Sequence, residues 1–155
     1  MIRVQTPDFD ISHEYQQLRG TSQGAGAIVF FVGLVRDMVQ GDSLVELTLE
    51  HYPAMTQHYL TQLAEQAKHR WPLQQVRIIH RVGSLAANDQ IVFVGVSCAH
   101  RNAAFEAAEF IMDKLKTNAP FWKKETLINV ATGEHHSAWV TSKESDGERV
   151  NRWDK

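Results

Sequence analysis

The sequence predicts an α+β fold. It should hold a mixed or antiparallel sheet, two long helices and a C-terminal hairpin in a single two-lobed domain. Three observations carry this. Strand-like and helix-like segments follow one another without the regular β-α-β-α spacing of a doubly wound sheet. Two segments, from Pro53 to Trp71 and from Asn102 to about Thr117, set apolar residues on one helical stripe. Two short strand-like runs near the end flank Thr132-Gly133, a turn signal.

Each element has a local reason. Ile2 to Gln5 reads as a short strand. Ile11 to Arg19 reads as a helix, with Asp10 or Ser12 as cap and Gly20 as stop. Ala25 to Val35, AGAIVFFVGLV, is apolar throughout and reads as a strand buried on both faces. Leu44 to His51 alternates, the pattern of a strand with one wet face. Pro53 suits the first turn of a helix, Leu60, Leu63, Ala64, Ala67 and Trp71 share one face of it, and Pro72 stops it. Gln75 to Val82 and Gln90 to Ala99 read as strands, the second buried, with the Asn88-Asp89 turn between them. On the second long helix Phe105, Ala108, Met112 and Leu115 form the apolar stripe. Phe121 to Val130 and His135 to Thr141 form the hairpin. The main domain therefore spans 1–141. Residues 142–155 form a polar tail that either frays or docks through Trp153.

Composition excludes several classes. The chain has 155 residues, 43% hydrophobic and 22% charged, an ordinary globular balance. Its longest apolar run is far short of the roughly 20 residues a membrane helix needs. MIRVQTPDFD lacks an apolar segment with a small-residue cleavage site, so no secretory signal is expected. One cysteine, Cys98, makes neither an internal disulfide nor a multi-cysteine metal site, and a cytoplasmic location is expected. The net charge of −2 gives no global field for nucleic acid. Acidic residues interleave with the basic ones, which argues against an RNA-binding face.

Candidate chemistry gathers at three places. His100 and Arg101 sit between a buried strand and a helix, where free backbone N–H groups favour anions. Lys116 ends that helix, and Lys123, Lys124 and Glu125 follow Pro120. Alternation puts Lys123 and Glu125 on one face of the strand and Lys124 on the other. Partial burial beside Phe121 and Trp122 would lower a lysine pKa toward acid–base use. Arg36 stands at the mouth of the loop after the apolar strand. For each group, a solvated or merely structural role stands as the alternative. Glu50-His51-Tyr52 ranks lower because Pro53 sends the chain into a helix at once, and His51 is read as structural. His135-His136 lacks metal-site spacing. Cys98 is read as a small buried hydrophobe.

Four stretches go further. LTLEHYPAMT (47–56), HRVGSL (80–85), VFVGVSCAHR (92–101) and FEAAEFIMDKLKTNAPFWKKE (105–125) resemble the large, catalytic subunit of molybdopterin synthase, over about residues 26–125. The resemblance implies a sulfurtransferase that makes molybdopterin, for molybdenum cofactor biosynthesis, from cyclic pyranopterin monophosphate. Sulfur would arrive as a thiocarboxylate on the C-terminal Gly-Gly tail of a small ubiquitin-like partner. Two large subunits would form a central homodimer with a small subunit at each end. No cofactor and no metal is implied, and neither nucleic acid nor membrane is a partner. Carried over residue by residue, substrate binding falls to Arg36, His100, Arg101, Lys116, Lys123, Lys124 and Glu125, and catalysis to Lys116 and Lys123. Departures from the family pattern lie in the N-terminal segment, the hairpin and the tail.

Helix geometry adds a constraint. Arg101 and Lys116 are 15 residues apart on one helix, about 22 Å at 1.5 Å per residue. A pterin monophosphate is on the order of half that length. A pocket shared across a two-fold dimer meets both requirements. One subunit gives Lys116 and Lys123, with Arg36 assigned to the same subunit, and its mate gives His100 and Arg101.

Overall fold

The structure is a computed structural model and describes residues 1–20, 23–140 and 144–155. In chain order the elements are β1 (Ile2–Gln5), α1 (Ile11–Gly20), β2 (Ala27–Leu34), β3 (Met38–Val39), β4 (Asp42–His51), α2 (Pro53–Arg70), β5 (Leu73–Arg81), β6 (Gly83–Leu85), β7 (Gln90–Cys98), α3 (Arg101–Asn118), β8 (Phe121–Ile128), β9 (His135–Val140) and α4 (Glu144–Asn151). They build two sheets, the two lobes of the expected α+β domain.

The first sheet runs β1-β5-β7-β2, with β1 parallel to β5 and the other pairs antiparallel. Its strands alternate. Val76 and Ile78 of β5 and Val92, Val94, Val96 and Cys98 of β7 face α2 and α3, where Leu60, Leu63, Phe110 and Ile111 complete the main core. Phe93 and Ile79 face the other way, against Phe9 and Leu18 beneath α1. Gly95 makes that approach possible, because a Cβ there would lie 2.6 Å from Leu18 Cδ1. Asp10 caps α1, its Oδ1 accepting from the His13 amide at 2.8 Å. Arg3 and Arg77 both pair with the carboxylate of Glu14, which is only 1% exposed on α1.

The second sheet runs β3-β4-β8-β9, with β6 also on β4 and every pair antiparallel. Leu44, Leu47, Leu49, Leu85 and Leu127 form its inner face with Val35 and Val82. A bulge between Leu44 and Glu46 puts Leu44 and Leu47 on the same side despite their odd spacing.

Two burial expectations are corrected. β2 was expected to be covered on both faces, yet Phe30, Phe31 and Leu34 are 41%, 42% and 56% exposed. The strand lies at the sheet edge, paired with β7 on one side, and these side chains stay partly open there. Phe105 belongs to the α3 stripe by spacing but is 61% exposed, because the buried face of α3 runs through Ala104, Ala107, Ala108 and Ile111 instead. The expected boundary between residues 141 and 142 falls outside the described residues. Beyond it, 144–151 form α4, and Trp153 docks. Its ring meets Trp71 at 5.7 Å and Phe110 at 5.5 Å, and its Nε1 donates to Asp113 Oδ2 at 2.8 Å.

Candidate active site

The lysine end of α3 and the start of β8 meet at one edge of the molecule. Lys116 lies in the last turn of α3, where a cation suits the helix dipole. The helix stops at Ala119, and Pro120 leads into β8. Lys123 and Glu125 then pair in register with Leu49 and Leu47 of β4, so both point along the inner face of the second sheet. Lys124 pairs with Thr48 and Trp139 on the opposite face, where its ammonium lies 5.9 Å from the Trp139 ring centre.

The field at Lys123 shows which groups converge. Its solvent contact is retained, but the protein mass around it lowers its pKa. Lys116 and Arg36 lower it further, while Asp146 and Glu125 oppose the shift. The charges of Arg36, Lys116 and Glu125 therefore all act on Lys123 within one chain. Arg36 itself is exposed, in the loop between β2 and β3.

Sequence reasoning missed two members of this neighbourhood. His80, on β5, is 6% exposed and stacks on Phe121 with centroids 4.0 Å apart. Burial brings its pKa to about 4, and the charge of Lys123 contributes to the lowering. The ring is thus neutral at neutral pH. Its Nδ1 donates to the Arg81 carbonyl at 2.8 Å, leaving Nε2 as an acceptor. Asp146, on α4, comes from the tail. No local signal marks either residue, because each reaches Lys123 through tertiary packing.

His100 and Arg101 stand elsewhere. His100 is the N-cap of α3 and Arg101 its first residue, both exposed, and the first turn carries no acidic side chain. Gly26 fixes this corner. Its amide donates to the Cys98 carbonyl at 3.0 Å, and a Cβ on it would fall 2.3 Å from the Ala99 oxygen. Any other residue would push β2 away from the end of β7. The full length of α3 separates this corner from Lys116, so one chain does not bring the two basic groups together.

The lower-ranked candidates also have definite places. His51 Nδ1 lies 3.1 Å from Thr56 Oγ1, and that hydroxyl donates to the Tyr52 carbonyl at 3.1 Å, a link that ties β4 to α2. Although Glu50, His51 and Tyr52 diverge in sequence direction, they border one open recess of about 340 Å³ with Trp122 and Trp139. His135 and His136 lie on the exposed β9. Among the described residues, no three His, Cys, Asp or Glu side chains are grouped to hold a metal ion.

Cys98 is fully buried, and its Sγ lies 2.9 Å from the His100 carbonyl. Cys98→Ser and Cys98→Ala should therefore cost stability, about 1–2 kcal/mol, without touching the lysine cluster. Thermal unfolding and product formation, measured on the same samples, check this. A folded variant that makes no product would bring the thiol into the reaction.

The class so far is an α+β domain in which two lysines and an arginine act on one another near the end of one helix. Residues 4–118 match the family model described as MoaE protein. The chain is 54% identical to the molybdopterin synthase catalytic subunit of Vibrio cholerae, covering 99% of this chain and 97% of that protein. It superposes on a molybdopterin biosynthesis MoaE protein from Burkholderia ambifaria with a TM-score of 0.83, at 44% identity, covering 100% of this chain and 98% of that one. A solved molybdopterin synthase from Staphylococcus aureus gives 0.77 at 29% identity, covering 89% and 95%. The chain belongs to the MoaE family, among enzymes of the molybdopterin synthase type.

Proposed function

We propose that this chain is the sulfur-transferring catalytic subunit of a molybdopterin synthase. It takes sulfur from the C-terminal thiocarboxylate of a small ubiquitin-like subunit and installs the dithiolene of molybdopterin on cyclic pyranopterin monophosphate. The observation that carries this reading is the convergence of Arg36, Lys116 and Lys123 around one partly desolvated ammonium. Thiocarboxylate and phosphate are both anionic. Cations placed where that charge develops stabilise both the attack by sulfur and the opening of the phosphate ring. Glu125, on the same face as Lys123, orients and balances it. Lys123 and Lys116 are the groups that move protons or carry charge, and Arg36 clamps an oxygen anion. Lys124, on the opposite face of β8 beside Trp139, stands apart from this group.

His100 and Arg101 grip the phosphate end of a substrate held by the mate of this chain. The helix span of about 22 Å excludes both ends of one α3 from a single small ligand. A homodimer with a small subunit at each end supplies two such shared pockets. The catalytic domain is assigned to 1–141, with 142–155 appended, and its location to the cytoplasm. No described helix is long and apolar enough to cross a membrane.

Incubation of the purified chain with a thiocarboxylated small subunit and the cyclic pterin precursor tests the proposal. Dithiolene product, detected after oxidation to its fluorescent pterin, is the expected result. A correctly loaded partner that yields none would sink it.

A further inference from the structure

β2 is an edge strand without the usual protection of one. Among the described residues, no strand pairs with its outer side. Its eight residues, AIVFFVGL, hold no charge and no proline, and its one bulge lies at the far end, between Gly33 and Leu34. The edge strand of a monomer is ordinarily blunted by a lysine, a proline or a covering element, because bare backbone donors and acceptors recruit another strand. Phe30 and Phe31, at the middle of β2, stand partly open on its two faces.

The helix over this edge has a matching flank. α2 packs on β1 and β5, and α3 on β7 and β2, so one side of α3 looks past the β2 edge. Phe110 and the Lys114 carbonyl mark the α2 side, where Trp71 and Tyr59 meet them. Glu109 and Asp113 are taken up by the arginines of α4. Arg101, Phe105, Met112 and Lys116, at i, i+4, i+11 and i+15, form a separate line within roughly 60° of turn, on the β2 side. α3 starts beside the beginning of β2, where Ala27 pairs with Cys98, and runs back over the sheet in the direction of β2. From Arg101 to Lys116 it covers about 22 Å, and β2 from Ala27 to Leu34 covers about 24 Å.

We propose that the free edge of β2 and this flank of α3 form the face on which a second copy of the chain docks, antiparallel about a two-fold axis near Phe30 and Phe31. The inference rests on the reading of a pocket shared between two subunits, and it says which surface does the sharing. Two β2 strands pair edge to edge, and two four-stranded sheets become one. The start of each β2 then lies beside the end of its mate. His100 and Arg101 are brought toward the partner's Lys116 and the partner's Arg36. The same axis sets Phe105 against the partner's Met112, because residues 101 and 116 facing each other imply 105 facing 112. A ring on a thioether closes the seam between the two pockets. A parallel pairing fails, since it brings each group only to its own copy.

The chain alone carries the test. Phe31→Glu sets two carboxylates face to face near the axis, and Phe105→Glu puts one against each Met112. Each should weaken the dimer by roughly 100-fold or more in analytical ultracentrifugation. Circular dichroism checks that both are folded, and Phe105 is open enough that its replacement spares the core. Phe31→Cys should be linked to itself by a short bis-maleimide. Val130→Cys, equally open but on the turn between β8 and β9, should not. Cys98, the one native cysteine, is buried and does not compete. Folded glutamate variants that stay dimeric overturn the proposal, as does a Phe31→Cys chain that links no better than Val130→Cys. A chain that is monomeric until the small subunit adds a strand to β2 overturns it too. If the face holds and mixed Arg101→Ala and Lys116→Ala chains still make no product, the shared-pocket reading falls and the face stands.

Discussion

Lys123→Ala and Lys116→Ala should each abolish most turnover while the protein stays folded. Lys123 keeps solvent contact on a strand whose neighbours β4 and β9 pair through the backbone, so truncation removes little packing. Lys116 is exposed in the last turn of α3, where alanine is a good helix former. Stability should change by about 1 kcal/mol or less for each. The loss in rate is a different matter. Removing one group that stabilises transition-state charge commonly costs on the order of 10²–10³ in kcat. An enzyme that uses these lysines would keep its partner and substrate yet lose turnover. A scaffold that only gathers anions would lose binding. Thermal unfolding, substrate binding and product formation on the same preparations separate these outcomes. A folded double variant that still turns over would remove both lysines from the reaction.

Mixing two dead homodimers should restore activity. Arg101→Ala removes the guanidinium at one end of α3 and Lys116→Ala the ammonium at the other. Each homodimer then carries the same defect in both shared pockets. In a heterodimer the defects segregate. One pocket receives both altered residues and the other receives none. Verified heterodimers should therefore show roughly half of wild-type activity per dimer. The length of α3 makes this test decisive, because no rotamer change spans about 22 Å. Failure to recover after verified exchange would mean that the two ends of α3 serve separate purposes.

Local patterns made most of the fold legible. α2 carries its own start and stop in Pro53 and Pro72, and α3 follows a regular apolar stripe, so both were readable from neighbours a few residues apart. β2 was readable as a strand, but its edge position was not, because rank within a sheet belongs to the whole topology. β3 and β6, of two and three residues, exist only through their pairing with β4. The tail was the hardest part. α4 is polar, and Val150 and Trp153 have little meaning until α3 is there to receive them. The candidate site divides in the same way. The lysines and Glu125 announced themselves by alternation after a proline, whereas His80 and Asp146 reach Lys123 from 43 residues upstream and 23 downstream in numbering.

The docked tail also gives the protein an optical signature. The chain has four tryptophans. Trp122 and Trp139 sit in the open on the hairpin, 46% and 56% exposed. Trp71 and Trp153 instead stand edge to face at 84°, with Phe110 against both. Two indoles held rigidly this close couple their transitions and give a near-ultraviolet circular dichroism band, while the exposed pair contributes mainly red-shifted emission. Release of α4 should erase that band, while the far-ultraviolet helix signal falls only by the share of this one short helix. Docking of the last turn is therefore visible without a label, on a spectrometer, and on the timescale of a stopped-flow trace.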